Sequence, residues 1–296
     1  MSTNTPALEP LKRLTRDLAN ASKTLSVREA RYLVDAYYMI QENRIAAWHQ
    51  VRGLDEGAEP HSVIDWLAEQ NESLEGQIKR ALDKWSDGDP VGVWAKSICG
   101  IGPVISAGLL AHVDIRECPT AGHLWAFAGL DPTKKWEKGK KRPFNAALKS
   151  LVAFKLGESF VKVQNNENDI YGTVYAARKR LEQERNESLM FADQAKVKIE
   201  KVGKNTDAFK SYSVGKLPPA QIHARARRYA VKLFLAHFQM VAYFQFFKQP
   251  PPFPYVFEHL EGHIDFIEPP HADLIDGLAA ALAPYGRRIL ERRIAE

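Results

Sequence analysis

Two stretches of this chain carry residues whose types and spacing suit binding chemistry. The first, SICGIGPVISAGLLAHV (97–113), sets Gly100 and Gly102 around Ile101, with Pro103 next and an apolar run behind it. Glycine reaches positive φ and lets another backbone come close. Pro103 suits the first position of a helix, where a missing N–H costs nothing. Trp94 and Ile98, four apart, predict a helix before the turn, and Val104, Ala107, Leu109 and Leu110 predict one after it. The turn is therefore expected to join two short helices, with Ile101 tucked between them, Val104 opening the second, and Gly102 at positive φ. Backbone N–H groups at such a turn, together with the positive end of the following helix, make a site for phosphate. Contacts of that kind hold the sugar-phosphate backbone and read no bases. An ordinary tight turn between core helices has the same pattern, so this stretch alone leaves both readings open.

The second stretch is TKKWEKGKKRP (133–143). Lys134, Lys135, Lys138, Lys140, Lys141 and Arg142 stand together there, opposed only by Glu137. Each could neutralise a nucleic-acid phosphate, and Trp136 offers a stacking face for an unpaired base. A solvated loop is the plain alternative. Further on, Arg225, Arg228 and Lys232 fall at i, i+3 and i+7, a basic stripe opposite an apolar helix face. His259 and His263 have the spacing of a helical metal pair, but Glu261 is misplaced for a zinc-protease motif and prolines flank the segment. His112 and His237 read as core histidines. Asp265, Glu268, Asp273 and Asp276 have no spacing suited to acid–base work. No catalytic residue, metal ligand or cofactor is assigned.

The elements that must position these residues are helical. Residues 1–25 read as a polar arm. Ser26 and Glu29 have capping-box spacing, and the stretch from Ser26 to Val51 has helical apolar periodicity. Gly53, Gly57 and Pro60 break it. Val63, Trp66, Leu67, Leu74, Ile78 and Leu82 then mark a second amphipathic helix, so 26–86 is expected to be a helical hairpin. TAGHLWAFAGLDP predicts a short helix stopping at Gly129. Phe144, Leu148, Leu151, Val152, Leu156 and Phe160 fit one 3.6-residue period. Residues 171–202 read as a long polar helix, 203–216 as loop, and 219–247 as a strong helix started by Pro219. A proline-rich segment and a last helix fill 249–296. The fold class is all-α: a helical hairpin, then a helix-hairpin-helix domain (90–248) with a long helical extension.

Composition narrows the function classes. The 296 residues are 45% hydrophobic and 26% charged, which can bury a core, and the net charge of +5 does not by itself require a nucleic-acid partner. Two cysteines build no disulfide framework and point to a reducing compartment. The N-terminus lacks a signal-peptide core, and no stretch reads as the roughly 20 apolar residues of a membrane span. A soluble, cytoplasmic protein is expected.

From SICGIGPVISAGLLAHVDI through CPTAGHLWAFAGLDP the chain resembles the C-terminal domain of the DEDD/serine insertion-sequence transposases, the family that uses a bridging RNA. That family has a PGIGP hairpin, an apolar helix and then F.SA..LAAYAGL.P; here AFAGLDP stands for the last part and Thr120-Ala121 for the SA pair. The resemblance covers roughly 90–245 and weakens after 132. It implies a DNA-gripping helix-hairpin-helix, with protomers joined by N-terminal helices into a homo-oligomer. Two departures bear on activity. The family's RuvC-like domain, with four metal-holding acids on a strand-rich scaffold, has no counterpart in the 90 or so helical residues before the turn. The family's serine, in the loop after AGL.P, is replaced by a lysine-rich loop whose one hydroxyl, Thr133, reads as a turn cap. The reading is thus a non-catalytic, transposase-derived protein binding DNA, whether duplex or branched, with RNA as a further ligand. The alternatives are an active divergent transposase or recombinase, using Thr133 or unrecognised acids, and a purely structural protein whose glycine turn is a packing device.

Overall fold

The structure, a computed structural model, describes residues 16–53, 61–259 and 266–295. Among these there is no strand. The helices are α1 (Arg16–Ala21), α2 (Val27–Gly53), α3 (His61–Ser86), α4 (Pro90–Ser97), α5 (Pro103–His112), α6 (Ala121–Phe127), α7 (Ala146–Ser150), α8 (Gly157–Lys162), α9 (Tyr171–Glu187), α10 (Ala192–Ile199), α11 (Asp207–Ser213), α12 (Pro219–Phe247), α13 (Tyr255–His259) and α14 (Leu278–Ala295). By their contacts they form two compact units, one of residues up to Val93 with Gly102–His112, the other of Trp94–Ile101 with the chain from Val113 onward. The division falls inside α4 and again inside the glycine turn.

In the first unit α2 starts at the expected capping box: Glu29 accepts the Ser26 N–H at 2.7 Å, and Ser26 Oγ accepts the Glu29 N–H at 3.3 Å. The antiparallel pair α2 and α3 does not bury its apolar stripe alone. Val34 and Ile40 of α2 and Ile78 and Leu82 of α3 close over Val104 and Ala107 of α5. Ser106 Oγ donates to Gly92 O at 3.0 Å, and Arg31 reaches the Ala111 carbonyl at 2.7 Å. So residues 102–112, grouped from sequence with 90–248, pack with the hairpin helices. Toward the other end of α3, Val63, Trp66, Leu67 and Leu74, expected on the buried stripe, are exposed.

The second unit is built around α12. Pro219 starts that helix, and Lys248, at φ 54°, ends it. Phe234 and Phe238 meet Trp94 at ring-centroid distances of 6.0 and 6.4 Å, and Phe234 also meets Phe160 and Tyr171 at 5.8 and 5.4 Å. Trp94 Nε1 donates to Pro270 O at 2.7 Å. Contrary to the sequence expectation of no span-like stretch, α12 is long and apolar enough to cross a bilayer. Its apolar side is spent on this core, and its first half carries Arg225, Arg227, Arg228 and Lys232.

Three segments depart from the sequence reading. The single helix expected over 144–163 is interrupted by a π-helical stretch, Leu151–Leu156, between α7 and α8. The long helix of 171–202 ends at Glu187, because Leu189 turns left-handed (φ 59°) and the Met190 and Leu189 N–H groups fold back on Arg185 O and Asn186 O. Buried Asn186 holds that end down: it donates to Leu217 O at 3.0 Å and accepts Leu217 N–H at 2.7 Å. Residues 207–213, expected as loop, form α11, capped by Thr206, which accepts the Phe209 N–H at 3.2 Å.

His237 lies wholly inside this core. Its Nε2 faces Ile267 O at 2.8 Å and its Nδ1 faces the Tyr171 hydroxyl at 2.7 Å, an arrangement that suits a neutral ring donating from Nε2. Burial pushes its pKa down to about 4, against the raising effect of the Ile267 carbonyl. The folded state therefore binds the proton more weakly than the unfolded chain. Stability from this group is complete above about pH 6.5 and is lost as pH falls toward 4, by up to about 3 kcal/mol. Urea midpoints measured across that window should fall with acidification, and His237→Gln should flatten that part of the profile.

Candidate nucleic-acid interface

At the glycine turn, the left-handed residue is Gly100, at φ +89°. Its carbonyl accepts a hydrogen bond from Ser159 Oγ, and a Cβ there would meet Ser159 Oγ at 3.0 Å and Val163 Cγ2 at 3.3 Å. Gly102, expected at positive φ, is not, and a Cβ on it would meet nothing within 4 Å. Glycine is thus demanded at Gly100 by backbone and packing, while the surroundings of Gly102 are open. Ile101 is buried, its N–H donating to Ile98 O at 2.9 Å, and Val104 is buried in the other unit. Their side chains serve packing, so a ligand here would meet backbone. The first helical bond of α5 runs from Ser106 N–H to Gly102 O at 3.0 Å, and the N–H groups of Gly102, Val104 and Ile105 precede it.

The basic loop is anchored at both ends. At the end of α6 the Leu130 N–H bonds Trp125 O at 2.8 Å and the Gly129 N–H bonds Ala126 O at 3.0 Å, the paired bonds of a Schellman motif with Gly129 at φ +66°. A Cβ on Gly129 would lie 2.8–3.0 Å from Lys149 and Phe144 atoms, which is why AGL requires its glycine. Asp131 then accepts the Thr133 N–H at 2.9 Å and the Thr133 hydroxyl at 2.7 Å. At the far end the Asn145 N–H bonds Phe127 O at 2.9 Å, and the Asn145 side chain caps α7 through Leu148 N–H at 3.0 Å. Phe127 and Asn145 are tied together, and residues 132–143 between them are exposed.

Inside the loop Trp136 Nε1 donates to Lys140 O at 2.7 Å, and the Arg142 guanidinium sits 5.3 Å from the Trp136 ring centre. Trp136 remains 45% exposed. Lys140 pairs with Glu137 at 2.7 Å, an exposed pair worth little. Lys134, Lys135, Lys138, Lys141 and Arg142 are exposed with it, so the loop presents a strongly positive surface.

The basic stripe of α12 is only partly an open face. Trp125 Nε1 donates to Lys232 O at 2.9 Å and its ring lies 4.6 Å under the Lys232 ammonium. Partial burial lowers the Lys232 pKa, Asp131 opposes that, and Arg228 adds to it. Asp131 in turn is held below the usual carboxylate range by the Thr133 hydrogen bonds, with Lys134 and Lys232 assisting. The structure therefore brings the loop's base, Lys134 and Lys232 into one electrostatic neighbourhood, with exposed Arg228 one turn away. Arg225 does not join it as a free cation: its Nε bonds Glu182 at 2.5 Å, and its guanidinium lies 4.4 Å over Phe191. Two arginines on α9, Arg178 and Arg185, share that carboxylate and were missed from sequence, where they read as part of a long polar helix. Of the histidines considered for metal, His263 lies outside the described residues, as does the side chain of His259. Among the described residues no three His, Cys, Asp or Glu side chains gather as a metal-holding group.

Residues 94–143 match the family model of the Transposase IS116/IS110/IS902 family. This segment of the chain is transposase-related. The match opens at Trp94, the aromatic residue stacked on α12, takes in the glycine turn and the Schellman end of α6, and closes at Pro143, where the basic loop returns. No curated protein and no solved structure matches the chain.

The two glycines of the turn make opposite predictions. Gly100→Ala should destabilise the protein by about 1–2 kcal/mol, the cost of left-handed backbone in a residue with a Cβ, with crowding against Ser159 added. Gly102→Ala should change stability by no more than about 0.5 kcal/mol. Denaturant unfolding of the two variants checks both.

Proposed function

We propose that this transposase-derived chain binds DNA through its phosphate backbone and does not cut it. The observation that carries the reading is the anchored basic loop: six cations and one carboxylate on an exposed segment whose ends are tied by Asn145 and Phe127. Tying the ends lowers the ordering cost of binding, since the loop's base is already fixed. Lys232 and Arg228 extend the positive surface onto α12. In the first unit, the backbone N–H groups of Gly102 and Val104 are a separate candidate contact for a phosphate.

The loop's position supports the non-catalytic half of the reading. It stands where the resembling transposases place their serine, and here the segment is lysine-rich. Thr133, its one hydroxyl, donates to Asp131 and completes a turn. Trp136 adds a preference for unpaired bases in branched or single-stranded DNA, or in RNA, with one face already taken by Arg142. The exposed apolar residues at one end of α3, Val63, Trp66, Leu67 and Leu74, support self-association through the N-terminal helices. The chain acts in the cytoplasm, without a cofactor and away from membranes.

Electrophoretic binding measured against salt tests the loop. The slope of log affinity on log salt should be about 0.9 per phosphate contact, and Lys134→Gln with Lys135→Gln should flatten it by about one to two units on every sequence alike. An unaltered slope would make the loop a solvated face. Trp136→Ala should weaken single-stranded or branched oligonucleotides by about 1–3 kcal/mol and leave duplex nearly unchanged. With magnesium or manganese present, DNA should stay intact. Metal-dependent nicking lost on changing one Asp or Glu would replace this reading with that of an active enzyme.

A further inference from the structure

Glu182 of α9 is fully buried, and three guanidiniums converge on it. Arg178 Nη2 approaches its Oε1 at 2.5 Å, Arg225 Nε its Oε2 at 2.5 Å, and Arg185 Nη1 its Oε1 at 3.7 Å. Burial alone would push this carboxyl up, but Arg225 and Arg178 outweigh it and hold the pKa below its ordinary value. Glu182 is therefore a fixed anion at the centre of the group. Three guanidiniums share one carboxylate, a local excess of two positive charges. A carboxylate offers about four lone-pair sites, whereas three guanidiniums carry about fifteen N–H donors, so most donors are left for other acceptors.

Two of the three guanidiniums are also held in orientation. Arg178 lies 4.6 Å over the Tyr229 ring and Arg225 4.4 Å over Phe191. Planar forks fixed on aromatic faces have little side-chain freedom left to lose on binding. They remain reachable: the side chains of Arg178, Arg185 and Arg225 are 25%, 37% and 28% exposed.

We propose that Arg178, Arg185 and Arg225, arranged around Glu182, form a phosphate-binding site separate from the basic loop. The chemistry recognised is the tetrahedral oxyanion, to which guanidinium forks bind bidentately. Its source is a phosphodiester of a nucleic-acid strand, an assignment that rests on the DNA-binding reading above. Placement on α12 favours that source. Arg225, Arg228 and Lys232 continue along one helix face from this cluster to the loop's base at Asp131 and Lys134, about 10 Å of helix axis from Arg225 to Lys232. One strand following that face would meet the arginine cluster at one end and the lysine loop at the other.

Two measurements test the proposal. In the first, pyrophosphate is titrated into the full chain and melting is followed. The wild type should be stabilised, since a ligand of the folded state raises the transition, and Arg178→Gln with Arg185→Gln should lose that shift, whereas Lys134→Gln with Lys135→Gln should keep it. In the second, DNA binding against salt should lose about one to two units of slope in the double arginine variant. If removing Arg178 beside buried Glu182 prevents folding, Arg185→Gln alone carries the test, because Arg185 makes the longest and most exposed contact. It should lose part of the pyrophosphate shift and about 0.9 of slope.

A folded arginine variant that keeps both the pyrophosphate shift and the DNA slope overturns the site while leaving the loop reading intact. A wild type that binds no DNA, yet shows a pyrophosphate shift dependent on the arginines, upholds the phosphate site and overturns the DNA reading. A wild type that responds to neither ligand overturns both. Equal stabilisation by poly-glutamate would overturn the choice of phosphate as the ligand.

Discussion

The second unit depends on one aromatic column along α12. Phe234 and Phe238 are buried against Trp94 of α4, and Phe234 also meets Phe160 of α8 and Tyr171 of α9. Burying several rings together supplies a large share of the apolar area that holds such a unit, with further gain from their edge-to-face geometry. Because the rings come from four different helices, the column also sets where those helices stand. The turn at Gly100 follows from Trp94, the Ser159 hydroxyl that meets it follows from Phe160, and the arginines of α9 follow from Tyr171. Polar groups reinforce the same axis: Trp125 bonds Lys232 O at 2.9 Å, Gln239 bonds Pro119 O at 2.9 Å, and His237 joins Tyr171 to Ile267.

On this scaffold the candidate interface divides by kind of side chain. The lysines of 134–142 are long, exposed and weakly paired, which suits diffuse, salt-dependent neutralisation of a backbone. The arginines of α9 and α12 are anchored on Glu182 and on aromatic faces, which suits oriented contact with single phosphates. The match to transposases over 94–143 covers the loop and the turn but not the arginine cluster. Charge in these places is compatible with the fold because it sits at the rim of the core, with buried Glu182 over-compensated. An isolated buried Glu182 would be costly, and three guanidiniums make its ionised form the stable one.

The turn GIGP shows how local and tertiary demands separate within four residues. A pair of glycines in sequence suggests two equivalent positions. In the fold, Gly100 carries the left-handed backbone under Ser159 and Val163, whereas Gly102 has open space where a Cβ would be. Buried Ile101 belongs to one unit and buried Val104 to the other. A segment that feeds two cores is constrained at its apolar positions by packing, and only its backbone is left to meet a ligand.

The all-α class, the capping box of Ser26 and Glu29, the stop of α6 at Gly129 and the start of α12 at Pro219 were all legible from sequence. Each rests on contacts within about four residues or on backbone chemistry of a single residue type. The lysine loop was legible as charge, since nothing buried is needed to make a run of lysines positive. What tertiary structure decided were matters of long-range partnership. Leu189 takes a left-handed φ because Asn186, clamped to Leu217, ends α9 there; no propensity announces it. The stripe Val63, Trp66, Leu67 and Leu74 has the period of a buried face yet is exposed, while Ala68 and Glu75 beside it are buried, so the covered face of α3 there lies to one side of the stripe. Arg225 read as one cation of a basic stripe open to a nucleic-acid backbone, and the buried Glu182 forty-three residues earlier turns out to be its partner. Periodicity reports which face of a helix can be buried, but only the packed neighbours determine whether it is, and which charges they leave unbalanced.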